Sequence, residues 1–174
     1  VFCAGALLYA AGLVVMALNR GATVRRMDAQ FIRNIFGIRE ALEGYLTRQA
    51  AVVLGAEDIA RLRAIQSELR AAHMQSDVQG VVRLNRGFHR TIEGATGNDD
   101  AIRLLDLHSN LIGALRTRVG YRPGRVEGVL REHDALIEAL AARDAAAAGA
   151  IHDLHMRAAR DDILQALAEA DAVT

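Results

Sequence analysis

The most constraining feature of this sequence is an apolar repeat, at spacings of three and four residues, that runs from Asp28 almost to its end. Residues at this spacing share one face of an α-helix, whereas a half-buried β-strand would show strict alternation. The composition agrees, because the chain has one proline, no tryptophan and 4% aromatic residues. It is also rich in alanine and leucine, which favour helices. The pattern therefore predicts an all-α fold.

Six helices are predicted. They run from Asp28 to about Gly55, from about Glu57 to Met74, from Ser76 or Asp77 to Thr96-Gly97, from Asp99 to the loop at Pro123, over the stretch containing Val126 to Leu140, and from Asp144 to about Ala168. Asp28, Asp99 and Asp144 are predicted N-caps, and Gly97 suits the position just after a helix. Short connections make successive helices antiparallel, which predicts a compact helical bundle over residues 28–174.

The first predicted helix is more apolar than one buried stripe requires. Ile32, Ile35, Phe36 and Ile38 lie close together in it, and the inward line is expected to continue to Val53. Part of this surface is expected to face a second copy of the chain, so we expect a homodimer.

The N-terminal segment has no charged residue in its first 18 positions. By length it borders on a membrane span. However, Val14-Val15-Met16 and Ala22-Thr23-Val24 flank the turn-type sequence Asn19-Arg20-Gly21, which favours a β-hairpin. The chain begins with valine, and we interpret it as a fragment. Its one cysteine, Cys3, excludes an internal disulfide and favours a reducing compartment.

The formal charges balance, with 21 basic and 21 acidic residues. The chain as a whole therefore has no electrostatic preference for nucleic acid or for a membrane surface. Specific binding has to come from local groups.

Three predicted helices each place a histidine on an apolar stripe. His89 lies one turn after Asn85, His133 lies among the apolar residues of the fifth helix, and His155 lies one turn after Ile151. Imidazole is the commonest metal ligand near neutral pH, and inward side chains on facing helices are a standard way to build a metal site. The alternative is that each is a core histidine bonded to a backbone carbonyl or a carboxylate. His108 also lies on an apolar line, and His152 pairs with His155 three residues later, so both compete for the ligand positions.

Arg39 and Glu43 form a second polar pair, four residues apart on the first helix. One interpretation is an ion pair on the helix surface, worth a few tenths of a kcal/mol. The other is an arginine fork for a carboxylate ligand, with Arg39 directed partly inward.

Taken together and in this order, several stretches resemble the FCD domain, the effector-binding half of FadR-type regulators in the GntR family. They are Ile38-Arg39-Glu40-Ala41-Leu42-Glu43, Asn85-Arg86-Gly87-Phe88-His89, Gly97-Asn98, Glu132-His133 and His155. The resemblance covers about residues 28–170. Gly12-Leu13-Val14, Asn19-Arg20-Gly21-Ala22 and Val24 resemble the end of the family's winged-helix DNA-binding domain. Residues 1–27 would then be a remnant of that domain, with Val1 to Val14 as the end of the recognition helix and the hairpin as the wing.

The resemblance implies a divalent metal ion of the zinc, nickel or manganese type, held by Asn85, His89, His133 and His155. Metal-binding members usually have aspartate where this chain has Asn85, and an amide supplies no negative charge. The resemblance further implies a small organic-acid effector, with Arg39 as a candidate contact, and a cytoplasmic homodimer that binds operator DNA through the N-terminal domain. Phe2 and Cys3 stand where Arg and Glu are usual, so DNA contacts cannot be inferred from this chain.

Two other functions compete with a DNA-binding sensor. His133-Asp134 and His152-Asp153 match the His-Asp dipeptides of HD-type metal-dependent phosphohydrolases. Each aspartate, however, turns about 100° away from its inward histidine, and the sequence offers no nucleophile with an oriented base. We therefore expect no enzyme. A helical sensor or adaptor anchored by the N-terminal apolar segment is the third hypothesis.

Overall fold

The computed structural model describes residues 14–17, 21–24 and 27–172. Six helices follow a two-stranded hairpin, as predicted. The strands are β1 (Val14–Ala17) and β2 (Gly21–Val24), and the helices are α1 (Ala29–Val53), α2 (Ala56–Met74), α3 (Val78–Ala95), α4 (Asp99–Val119), α5 (Arg125–Ala141) and α6 (Ala145–Ala172). The all-α helical bundle is thus confirmed.

The hairpin pairs its strands antiparallel, with Val14 opposite Val24 and Ala17 opposite Gly21. Residues 1–13, which include most of the expected recognition-helix segment, lie outside the described residues. None of the helices in the described ranges is both long enough and apolar enough to cross a membrane.

Side-chain caps fix the starts of α1, α3 and α6 where the sequence predicts them. The Asp28 carboxylate accepts from the Phe31 N–H at 2.9 Å, and Asp144 accepts from Ala147 N–H at the same distance. The prediction for α4 is wrong by one residue, because Asn98 is the cap and Asp99 is the first helical residue. Both side chains are able to cap, so the sequence pattern alone did not distinguish them.

The bundle is organised around α1 and α6, the longest helices, which pack along each other. α2 packs against α3 and α5, α5 also packs against α6, and α4 lies against α3 and α6. Two main groups of buried side chains result: one contains Phe88, Ile92 and Leu136, and the other contains Ile32, Phe36 and Ile163. The polar site described below lies on α1, α3, α5 and α6.

The buried face of α1 differs from the predicted stripe. Ile38 and Val53 are 52% and 56% exposed, although both were expected to point inward. The buried face instead continues from Phe36 through Arg39 and Glu43, each at most 7% exposed. These two charged side chains are able to face α6 because each is the other's ion-pair partner.

Candidate metal centre

The structure brings together the three histidines that the sequence singled out. His89 on α3, His133 on α5 and His155 on α6 are each at most 4% exposed. One nitrogen from each ring lies within 4.8 Å of one nitrogen from each of the others. We call this group the histidine cluster. Three imidazoles on three helices are a donor set suited to a first-row divalent metal ion.

The Nε2 atoms of the cluster lack ordinary partners. His89 Nε2 lies 3.2 Å from His155 Nε2. His133 Nε2 is buried and has no hydrogen-bond partner among the described residues. A buried polar atom without a partner is costly, and a metal ion would satisfy all three nitrogens at once.

The Nδ1 atoms, in contrast, face acceptors that the sequence analysis missed. His155 Nδ1 lies 2.7 Å from Glu132 Oε2, and His133 Nδ1 lies 3.2 Å from Gln66 Oε1. His89 Nδ1 lies 3.8 Å from Glu43 Oε2. Metal-binding histidines typically donate their second ring N–H to such a carboxylate or carbonyl, which leaves the other nitrogen for the metal.

Burial keeps the three imidazoles in the form that binds metals. It lowers the pKa of His89, His133 and His155, and neighbouring histidines lower the pKa of His89 and His133 further. Burial opposes ionisation of Glu132, but hydrogen bonds from His155 and Arg125 outweigh it and lower the Glu132 pKa to about 2. Glu132 is therefore an ionised acceptor, and His155 is the donor to it.

Arg39 and Glu43 form a buried ion pair, which rules out the surface interpretation. Arg39 Nε donates to Glu43 Oε1 at 2.7 Å. The other carboxylate oxygen of Glu43 lies 3.4 Å from His152 Nε2. Burial opposes ionisation of Glu43, but the charge of Arg39 and contacts with His152 and His89 lower its pKa.

Glu43, His89 and His152 thus form a second group of close metal-type ligands. We consider it the weaker metal site, because the Arg39 guanidinium already neutralises its only carboxylate. His152, a rival in the sequence analysis, therefore lies beside the histidine cluster rather than in it. His108 belongs to neither group.

A cavity adjoins the histidine cluster. His89, His155, Asn85 and Arg39 line it, together with three more arginines that the sequence analysis did not assign: Arg86, Arg116 and Arg125. Asn85 is half-buried. The structure therefore places His89 and His155 both in the cluster and along the cavity, His133 in the cluster, and Asn85 and Arg39 along the cavity.

Each cavity arginine already has a carboxylate partner. Arg39 pairs with Glu43, Arg86 with Glu93 and Asp106, Arg116 with Asp162, and Arg125 with Glu132. Two neutral groups add hydrogen-bonding capacity: the Asn85 amide and the Ser109 hydroxyl, which is buried without a hydrogen-bond partner among the described residues. The charged groups in the wall of the cavity are therefore nearly balanced.

The aspartates of the two His-Asp dipeptides do not join the histidine cluster. Asp134 pairs with Arg70 at 3.0 Å, and Asp153 pairs with Arg48 at 2.9 Å. Both pairs lie at the surface of the bundle. Neither aspartate therefore supplies the cluster with the carboxylate that a metal-dependent phosphohydrolase of this type would need.

Comparison with known proteins agrees with the resemblance to the FCD domain found in the sequence. The sequence profile of the FCD domain matches residues 34–158. Among solved structures, Escherichia coli McbR/YncC superposes with a TM-score of 0.82 at 19% identity, over 95% of this chain and 83% of its own. A GntR family transcriptional regulator from Pseudomonas syringae gives a TM-score of 0.70 at 19% identity, over 94% and 69% of the two chains.

A third structure, Lar of Listeria monocytogenes, is described as controlling expression of the agr system. It gives a TM-score of 0.72 at 15% identity, over 94% of this chain and 78% of its own. At these identities the likeness is one of fold. No curated protein sequence matches this chain.

Proposed function

Because this chain belongs to the FCD domain family, we propose that it is the effector-sensing part of a GntR-type transcriptional regulator. In this proposal the bundle binds a divalent metal ion through His89, His133 and His155, with the Asn85 amide oxygen as a fourth ligand. A small organic acid binds in the adjoining cavity. Its binding changes the affinity of a dimeric DNA-binding protein for its operator in the cytoplasm.

The observation that carries the metal proposal is the arrangement of the histidine cluster. Nδ1 of each ring faces a side-chain oxygen, whereas the Nε2 atoms of His89 and His155 face each other and that of His133 has no partner. Ordinary core histidines would satisfy both ring nitrogens from the protein. Three neutral imidazoles suit zinc or nickel, and an amide oxygen is compatible with these ions and with manganese.

The bound ion would supply a positive centre that attracts an anionic oxygen ligand. The chain's own residues would orient that ligand: Arg39 and Asn85 line the cavity beside His89. Arginine binds a carboxylate through a planar fork of N–H donors. The aspartates of the His-Asp dipeptides, Asp134 and Asp153, pair with Arg70 and Arg48 instead of the cluster, which favours a sensor over a hydrolase of the HD type.

DNA binding is assigned to residues 1–27 and to the rest of a winged-helix domain. The hairpin of β1 and β2 has the form of a wing. A winged-helix protein that binds an inverted repeat needs two copies at a fixed spacing. We therefore propose a homodimer that has two arrangements, one that binds the operator tightly and one that binds it weakly. Ligand binding changes the DNA affinity only if these two arrangements differ in their affinity for the ligand.

The metal proposal is tested by elemental analysis of the purified chain. We expect up to one divalent ion per chain in the wild type and none in His133→Ala. His108→Ala is the matched control, since it removes an imidazole outside both ligand groups. Circular dichroism checks that each variant remains helical. Full metal content in folded His133→Ala protein would refute this assignment.

The effector proposal is tested by thermal unfolding of the metal-loaded chain in the presence of small carboxylic acids. A ligand that binds only the native state stabilises it by about 2.7 kcal/mol when its concentration is 100 times Kd. Matched neutral amides of the same acids are the control. If only neutral or cationic compounds raise Tm, the organic-acid proposal is wrong.

A further inference from the structure

Gln66, on α2, connects the histidine cluster to the outer surface of the bundle. We propose that Gln66 is a positioning residue that holds His133 in the Nδ1–H tautomer and so directs the bare Nε2 into the histidine cluster. We further propose that Asp134 holds Gln66 in the orientation that this requires. The link to metal affinity rests on the proposed function, but the tautomer itself does not.

The orientation of the Gln66 amide follows from its neighbours. Its Nε2 donates to the Leu130 carbonyl oxygen at 2.7 Å and to Asp134 Oδ1 at 2.8 Å. A carbonyl and a carboxylate only accept hydrogen bonds, so the NH₂ end of the amide must face them. Gln66 is only 4% exposed, so bulk water does not compete with these two acceptors for the NH₂ group. Its Oε1 is therefore the atom that faces His133.

The tautomer of His133 follows from that orientation. His133 Nδ1 lies 3.2 Å from Gln66 Oε1, which only accepts, so Nδ1 carries the proton. In a neutral imidazole the other nitrogen then has a free lone pair. That nitrogen, Nε2, is the buried atom without a partner at the cluster.

Packing fixes the plane of the ring as well. The Phe88 ring stacks on His133 with centroids 3.9 Å apart and planes 4° apart, and both residues are fully buried. Because Phe88 holds the plane of the His133 ring and Gln66 holds its Nδ1 edge, the opposite edge, which carries Nε2, is fixed in its direction. Gln66 thus does for His133 what Glu132 does for His155, with a neutral acceptor in place of a carboxylate.

Asp134 acts one step further out. One of its oxygens accepts from Gln66, and the other accepts from Arg70 at 3.0 Å. This carboxylate follows His133 directly in sequence but reaches it only through Gln66 on the neighbouring helix. Its role here differs from that of the aspartate in a metal-binding His-Asp dipeptide, because it orients the residue that orients the histidine.

The experiment is ¹⁵N NMR of the histidine side chains in the metal-free chain, where the two ring nitrogens show directly which one carries the proton. We expect His133 to be Nδ1–H in the wild type and to gain Nε2–H character in Gln66→Leu. Glu138→Ala is the matched control: Glu138 lies one turn after Asp134, makes the same kind of ion pair with Arg63, and is not among the hydrogen-bond partners of Gln66, which are Leu130, Asp134 and His133. It should leave the His133 signals unchanged.

Metal titration of the same proteins gives the second readout. Loss of such an orienting partner typically weakens metal binding about 10- to 100-fold, which we expect for Gln66→Leu and not for Glu138→Ala. A wild-type His133 protonated on Nε2, or a Gln66→Leu variant that keeps the Nδ1–H form, would overturn the proposal.

Two further results keep the proposals separable. If the wild type binds no metal, the proposed metal site is wrong, while the tautomer measurement still decides the role of Gln66. If Gln66→Leu does not fold, Asp134→Ala takes its place, since it keeps Gln66 but removes one of the two acceptors that orient its amide. In that variant an unchanged His133 tautomer would refute the role given to Asp134.

Discussion

The buried ion pair between Arg116 and Asp162 provides the sharpest test of how this bundle is held together. Arg116 on α4 and Asp162 on α6 are each 5% exposed, and Arg116 Nη1 donates to Asp162 Oδ2. The guanidinium also donates to the carbonyls of Gly120 and Ala159 at 3.1 and 3.0 Å, and it lies over the Tyr121 ring at 4.4 Å. It therefore joins the C-terminal end of α4 to α6 beside the cavity.

Asp162→Ala should destabilise the chain by about 3–5 kcal/mol, because it leaves a guanidinium buried without a counter-charge. Burial already lowers the pKa of Arg116 in the intact protein, which shows that its charge is costly at this position. The double variant Arg116→Met/Asp162→Leu removes both charges and should lose only about 1–2 kcal/mol, from the two carbonyl hydrogen bonds.

Denaturant unfolding of the wild type, Arg116→Met, Asp162→Leu and the double variant gives the coupling free energy of the pair. Asp161→Ala is the matched control, because Asp161 is the exposed neighbour and pairs with Arg160. It should cost less than about 1 kcal/mol. If Asp162→Ala costs no more than Asp161→Ala, or if the double variant is less stable than Asp162→Ala, the reasoning from burial is wrong.

Three further predictions test the site and its surroundings. Burial raises the pKa of the Tyr121 phenol, so the contribution of this phenol to the free energy of unfolding is complete below pH 10. That contribution falls as pH rises further, by at most about 1.4 kcal/mol per pH unit. Denaturant unfolding from pH 8 to 11 should show this loss in the wild type and in the exposed control Tyr45→Phe, but not in Tyr121→Phe. Asn85→Asp should lower the Kd for a divalent ion, because it adds a negative ligand to three neutral imidazoles; isothermal titration with zinc checks this, and an unchanged or higher Kd would show that residue 85 is not a ligand. The complete protein should sediment as a dimer and bind a short inverted repeat with an affinity that changes on adding the effector; a concentration-independent monomer, or equal operator affinity in both conditions, would count against the regulator proposal.

The helices could be predicted from the sequence because periodicity and caps are local properties. Asp28 and Asp144 cap their own helices within three residues, so no knowledge of the tertiary fold is needed. The inward face of α1, in contrast, does not follow from local sequence alone. A line through Ile35 and Ile38 is as good a helical stripe as one through Phe36 and Arg39, and only the position of α6 decides that Arg39 is buried and Ile38 is exposed.

The same limit applies to the site. The three histidines could be predicted as a group because each interrupts an apolar stripe on its own helix. Their acceptors could not, since Gln66 lies 67 residues before His133 and Glu132 lies 23 residues before His155. Such contacts depend on which helices become neighbours. Glutamine and glutamate facing a partner helix have no signature that distinguishes them from surface residues.

The balance of charge around the cavity bears on how an anion would be selected. The sequence suggested that Arg39 adds a positive charge to the site, but its charge is offset by Glu43 at 2.7 Å. The other three cavity arginines are offset in the same way, so their sum gives no net attraction for a free carboxylate. The remaining source of positive charge is a divalent ion on three neutral imidazoles, which no cluster carboxylate neutralises.

A small organic acid should therefore raise Tm of the metal-loaded chain and not that of the chelator-treated chain. By the reciprocity of linked binding, the acid should tighten metal binding by the same factor by which metal tightens acid binding. Equal stabilisation of both forms by the acid would mean that the arginines bind it without the metal, and the charge argument would then be wrong.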